Sequence, residues 1–199
     1  MRMETVSKRI INYALRNEYI HKEQYEEYLY ILTLMLNILL TDITMLIIGC
    51  SMGMVWECVV YWLIYKVLRK YCGGFHFSTS FRCYLSSCIM CPVILVIIKF
   101  VPIGVSLLTA MVMLSAFILL FLSPVEAVNK PLDEQETNLF GKVAKILVVS
   151  VTIVYVLMLL LRFYIISKVI AMSIVSVTVF SVAGKIELQF LRQKHRRSS

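Results

Sequence analysis

Residues 103–123, IGVSLLTAMVMLSAFILLFLS, run for 21 positions without a charged side chain. As a helix rising 1.5 Å per residue the run is about 30 Å long, the thickness of a bilayer's hydrocarbon core. Five more predominantly apolar stretches, each with one or two charged residues, lie outward from it, at 29–49, 52–68, 83–100, 145–161 and 165–184, the second and fifth spans (52–68 and 145–161) at the short end of the range. Bulk composition agrees. The chain is 60% hydrophobic and 16% charged with mean hydropathy +0.82, whereas soluble domains run at roughly 45–50% apolar and ~25% charged. The sequence predicts an all-α integral membrane protein of about six transmembrane helices, and at 199 residues it leaves no room for a substantial soluble domain. The N-terminal segment lacks the apolar core and small-residue cleavage site of a secretory signal.

The breaks between spans set the topology. Gly49–Gly53, Lys99–Pro102 and Arg162–Lys168 are short turns, which puts them on one side of the membrane. The N-terminus, 69–82, 124–144 and the C-terminal tail then lie on the other. Only Lys99, Arg162 and Lys168 of the 20 Lys and Arg belong to the first set. By the positive-inside rule the expectation is a multi-pass cell-membrane protein with both termini cytoplasmic. The net charge of +8 then reflects topology and attraction to membrane lipids rather than a nucleic-acid partner.

Residues 1–28 form a cytoplasmic N-terminal segment in which Val6, Ile10, Tyr13 and Ile20 fall on one helical stripe among charged residues, the pattern of an amphipathic interfacial helix. A plain soluble cap is the other reading. Residues 29–184 are the membrane domain, and 185–199 a basic cytoplasmic tail. Cys50, Cys58, Cys88 and Cys91 lie in or at the ends of spans, where small buried hydrophobes are expected. Cys72 and Cys83 face a reducing compartment in this topology, against disulfides.

The loop 69–83, RKYCGGFHFSTSFRC, is the chemically unusual part. Basic residues suffice for an inner-face loop, whereas Gly73-Gly74 adds ordering entropy and implies unusual backbone angles or close approach. Irregular backbone at membrane depth must be enclosed by protein or face water. His76 and Cys83 are seven residues apart, about 10 Å on one straight helix, too far for a nucleophile and its base to meet. Ser78-Thr79-Ser80 is a run of helix N-cap residues that breaks that geometry. With Ser80 as the cap, Cys83 falls in the first helical turn, where the helix dipole and Arg82 favour a thiolate. A loop folding back from the glycines brings His76 to it as a Cys-His dyad. Three alternatives stay open. His76 and Cys83 are interface and packing residues, Cys72, His76 and Cys83 are ligands of a metal-dependent hydrolase, or the chain is a non-enzymatic transporter or scaffold for a small peptide.

The stretch Arg69-Lys70-x-x-Gly73-Gly74-x-His76, followed at seven residues by Cys83, resembles the signature of the accessory gene regulator B (AgrB) family of membrane peptidases. A second resemblance lies in Ser123-Pro124-Val125-Glu126 and Asn129-Lys130-Pro131-Leu132. The resemblance implies a cysteine endopeptidase, with no cofactor or metal, that removes the charged C-terminal part of an AgrD-type autoinducing-peptide precursor. It closes the remaining carboxyl carbon onto an internal Cys or Ser as a cyclic thiolactone or lactone. Cys83 matches the family nucleophile and His76 its general base. Arg69, Gly73 and Gly74, with Ser80 and Arg82, form the supporting loop. The expected partners are that propeptide and membrane lipids, and a homodimer is compatible with the sequence.

Asp42 and Glu57 lie within predicted spans, where carboxylates are functional suspects. Helical counting puts both nearer the outer face, too far to orient His76, so a hydrogen bond to a neighbouring helix is the leading role. Asp133, Glu134 and Glu136 read as a solvated charge cluster.

Overall fold

The computed structural model describes residues 2–75, 80–125 and 133–198. Among these the chain is helical, with one isolated bridge in place of any strand. The helices are α1 (Arg2–Arg16), α2 (Tyr25–Met52), α3 (Val55–Cys72), α4 (Ser80–Phe100), α5 (Val105–Leu122), α6 (Glu134–Leu160) and α7 (Tyr164–Ser198). Five of them, α2 and α4 to α7, are long and apolar enough to cross a membrane, and the chain is an all-α membrane protein.

The second predicted span, 52–68, is a helix of different character. α3 has 18 residues and carries Glu57, Lys66, Arg69 and Lys70, so it is too charged to face lipid all round. Its apolar positions Cys58, Tyr61, Tyr65, Leu68 and Cys72 recur at steps of three and four and are buried, the stripe expected of a helix seated on protein. The support is α7, with α2 and α6 alongside.

α7 is the axis of the bundle. Of its apolar stretch 61% lies inside the protein, against 6% for α2. Ser173, Ser176, Thr178 and Ser181 are buried along it. Such small polar residues let neighbouring backbones approach closely in a membrane. Ser173, Ser176 and Thr178 bond back to carbonyls one turn earlier, at 2.7–2.9 Å, so they bring no unpaired hydroxyl into the core. Tyr61 of α3 donates to Ser176 at 3.3 Å. α5 presents Leu108, Val112, Ser115, Ala116 and Leu119 to the same axis.

The turns at the end away from the glycine loop are built from local chemistry. α2 ends at Gly53, whose φ of +65° closes a Schellman cap, with Met54 N–H donating to Gly49 and Gly53 N–H to Cys50. Lys99 donates to the Met52 carbonyl and Lys168 to those of Ile98 and Val101. These cations satisfy carbonyls that helix ends leave open. α6 starts at Glu134, well before the predicted 145, and is capped by Asp133, which accepts from Glu136 N–H at 2.7 Å. The acidic cluster at 133–136 is therefore a helix start. α7 runs on past 184, so the predicted tail is its helical continuation.

The structure adds to one sequence expectation and corrects another, the burial of all four span cysteines. On α1, Ser7 and Ile11 are buried against α2, while Val6, Ile10 and Tyr13 of the predicted stripe are exposed. The helix has one face for protein and a second apolar face left outward. Cys50 is exposed, Cys88 half-buried, and only Cys58 and Cys91 of those four are buried, with their sulfurs 3.6 Å apart.

Asp42 is paired across the α2–α3 contact, accepting from Lys66 Nζ at 2.8 and 2.9 Å and from Trp62 Nε1 at 2.8 Å. Removing one member leaves the other charge in a poor solvent, which costs more than removing both. Asp42→Asn is expected to lower the stability of the micelle-embedded protein by about 1–2 kcal/mol, less than for a fully enclosed pair. Asp42→Asn/Lys66→Met should lie closer to wild type in thermal unfolding than either single variant.

Candidate functional site

α3 ends where the helix can no longer continue. Gly73 at φ +72° and Gly74 at φ +126° turn the chain back under the bundle, angles at which any other residue is strained. Space demands glycine as well. A Cβ on Gly73 would overlap the Val125 carbonyl, and one on Gly74 would lie 2.6 Å from Arg69 Nη1 and 2.7 Å from the Phe180 carbonyl oxygen.

The irregular backbone that follows is held on two sides. Val125, just after α5, donates its N–H to the Cys72 carbonyl at 2.9 Å and accepts from Gly74 N–H at 3.3 Å. From α7, the Phe180 carbonyl accepts from Phe75 N–H at 2.9 Å and Ser181 Oγ donates to the Gly73 carbonyl at 3.3 Å. Arg69 fills the centre. Its guanidinium lies 4.7 Å from the Phe180 ring centroid and donates to the carbonyls of Gly73 and Phe75. A cation enclosed this way is supported by aromatic face and carbonyl dipoles instead of water.

Cys83 lies near the start of α4, half-buried. α4 begins at Ser80, so Ser80 is its first helical residue and not its cap, and Cys83 still sits at the end of the first turn. Its sulfur is within electrostatic reach of both Arg69 and Tyr65. The next residue, Tyr84, meets Thr44 of α2 at 3.1 Å, and Ser87 donates to the Cys83 carbonyl at 3.2 Å. Cys72, by contrast, is buried against Ser123, beneath the Val125 contact.

Of the residues singled out by sequence, Arg69, Gly73 and Gly74 are brought together, and Cys83 interacts electrostatically with Arg69. Arg82 is exposed on the first turn of α4. His76 lies outside the described residues, as do Glu126 and Asn129–Leu132 of the second motif. Ser123, Pro124 and Val125 are described, and Val125 touches the first motif directly: the two resemblances are neighbours in space. Sequence reasoning missed Tyr65, Phe180, Ser181 and Gly184. The one signal available was Gly184, a lone glycine within a continuous helical pattern.

The family profile described as accessory gene regulator B matches residues 7–182. The chain belongs to that family, which takes part in quorum-sensing propeptide processing. No curated protein and no solved structure matches the chain.

The bridge to Val125 makes a structural prediction that does not depend on activity. Gly73→Ala should raise hydrogen exchange at the Gly74 and Val125 amides at least tenfold, while amides in the middle of α5 and α7 keep their protection. Unchanged exchange at Val125 would show that the bridge does not need glycine.

Proposed function

We propose that this protein is a membrane cysteine endopeptidase that cleaves an AgrD-type propeptide and cyclises its N-terminal portion. The observation that carries the reading is the setting of Cys83: a half-buried thiol at a helix start, with the enclosed Arg69 guanidinium in electrostatic reach. Membership of the accessory gene regulator B family supplies the substrate class. In this reading His76 is the general base, the termini are cytoplasmic, and the site works at the cytoplasmic face.

The chemistry follows from the thiolate. His76 takes the Cys83 proton, and Sγ attacks the scissile carbonyl carbon. The tetrahedral oxyanion collapses, the C–N bond breaks, and the leaving amine takes the proton from His76. A thioester on Cys83 remains. Attack by a thiol of the substrate's own chain transfers the acyl group, forming the ring and returning a proton to Cys83. One thioester replaces another at little net cost, whereas hydrolysis would give a linear peptide. Water exclusion therefore matters as much as nucleophilicity.

Cys83→Ala is expected to abolish propeptide cleavage, and His76→Ala to reduce it by about 10²–10⁴-fold, both with normal insertion. EDTA or phenanthroline should leave turnover unchanged and iodoacetamide should end it. Chelator-sensitive turnover restored by zinc would favour a metal-dependent hydrolase instead.

With a propeptide whose ring-forming residue is replaced by Ala, the first step should proceed and the second should stall. Intact-protein mass spectrometry should then find the N-terminal half of the propeptide on Cys83, released by hydroxylamine. Cyclic product from the unmodified propeptide without any trappable adduct would point to direct intramolecular attack.

A further inference from the structure

The loop after α3 is gripped by a helix that no sequence motif implicates. In a regular helix the Phe180 carbonyl accepts from the N–H four residues on, which belongs to Gly184. Here the same oxygen also accepts from Phe75 N–H at 2.9 Å, using its second lone pair. The loop can come this close because residue 184 has no side chain. A Cβ there would overlap Phe75 N and lie 2.8 Å from Gly74 Cα. Both are backbone atoms, so no rotamer change relieves the overlap; either α7 or the loop must move. α7 is the most enclosed of the membrane-crossing helices. Gly73–Phe75 is a short irregular segment held by hydrogen bonds to Val125, Phe180, Ser181 and Arg69. The loop is the part that yields.

Resting on the peptidase reading above, we propose that α7 is the seat of the catalytic loop, with Gly184 and Ser181 as positioning residues for the reaction at Cys83. Gly184 sets how closely Gly74 and Phe75 approach α7. Ser181 fixes the Gly73 carbonyl, to which Arg69 also donates. A loop displaced from this seat carries with it the Arg69 guanidinium, which bonds the Gly73 and Phe75 carbonyls and interacts electrostatically with Cys83. The chemical step then suffers while propeptide binding, spread over a larger surface, does not.

The test uses the full chain in lipid nanodiscs with an AgrD-type propeptide, reading kcat, KM and the thermal unfolding midpoint. Gly184→Ala should lower kcat at least tenfold with KM within threefold of wild type. Ser181→Ala should lower kcat about three- to tenfold at an unchanged midpoint, and Ser181→Thr, which keeps the hydroxyl, should recover most of it. Ala183→Ser, on the exposed side one residue earlier than Gly184, should behave as wild type. Should Gly184→Ala prove too unstable to assay, the Ser181 pair decides. Wild-type kcat in Ser181→Ala, or a rise in KM alone in either variant, overturns the proposal. Full cleavage by Gly184→Ala beside an inactive Cys83→Ala removes the α7 seat and leaves the peptidase standing. Full cleavage by Cys83→Ala removes the peptidase reading and the seat together.

Discussion

Backbone that leaves a helix inside a membrane protein must find partners for every N–H and C=O it exposes, because lipid offers none. Between Cys72 and Phe75 this constraint is met by fixed groups: the Val125 amide and carbonyl, the Phe180 carbonyl, the Ser181 hydroxyl and the Arg69 guanidinium. These partners come from three separate parts of the chain. The loop therefore ties α3, the end of α5 and α7 together at one end of the bundle, and its glycines are required by the closeness of those partners.

The same economy governs charge. α3 carries cations that would be expensive against lipid, and both Lys66 and Arg69 have assigned counterparts: Lys66 has Asp42 and the Trp62 ring, Arg69 has two carbonyls and an aromatic face. At the opposite end Lys99 and Lys168 are occupied by helix carbonyls. α3 can be short and polar for its position because α7 takes up its apolar stripe, so the helix least suited to lipid is among those well enclosed by protein.

The spans and their order were legible because a chain of this size has little use for successive apolar runs of about 17–21 residues with so few charges except to cross a membrane. The turns at Gly53 and after Phe100 and Leu160 fall where hydropathy breaks. What hydropathy misjudged was extent. α6 begins in polar sequence because Asp133 caps it, and α7 continues through the basic tail. The stripe on α1 was real as periodicity, yet α1 packs through Ser7 and Ile11, and nothing in a single-helix pattern ranks one apolar face above another. At the site, Gly73-Gly74 and Cys83 stand out by residue type. Phe180 does not: an aromatic residue in an apolar helix looks like core, and its role lies partly in a backbone carbonyl that every residue possesses. Asp42 could be expected to bond a neighbouring helix, but its lysine partner lies 24 positions away and only packing identifies it.

In the peptidase reading proposed above, burial at the loop bears on the fate of the acyl-enzyme. A thioester survives when the nucleophile meant to attack it is tethered nearby and water is not, so selectivity depends on how closed the site stays between the two steps. In that reading the half-buried Cys83 is partly shielded from bulk water while still reachable. The enclosed Arg69 guanidinium needs no shell of ordered water molecules, since its hydrogen bonds are made to carbonyls already locked in place. A lysine at position 69 would carry the same charge but could not make the same flat contact with the Phe180 ring while reaching two carbonyls with separate nitrogens. Preorganisation of that cation, rather than its charge alone, is what the geometry of the loop secures.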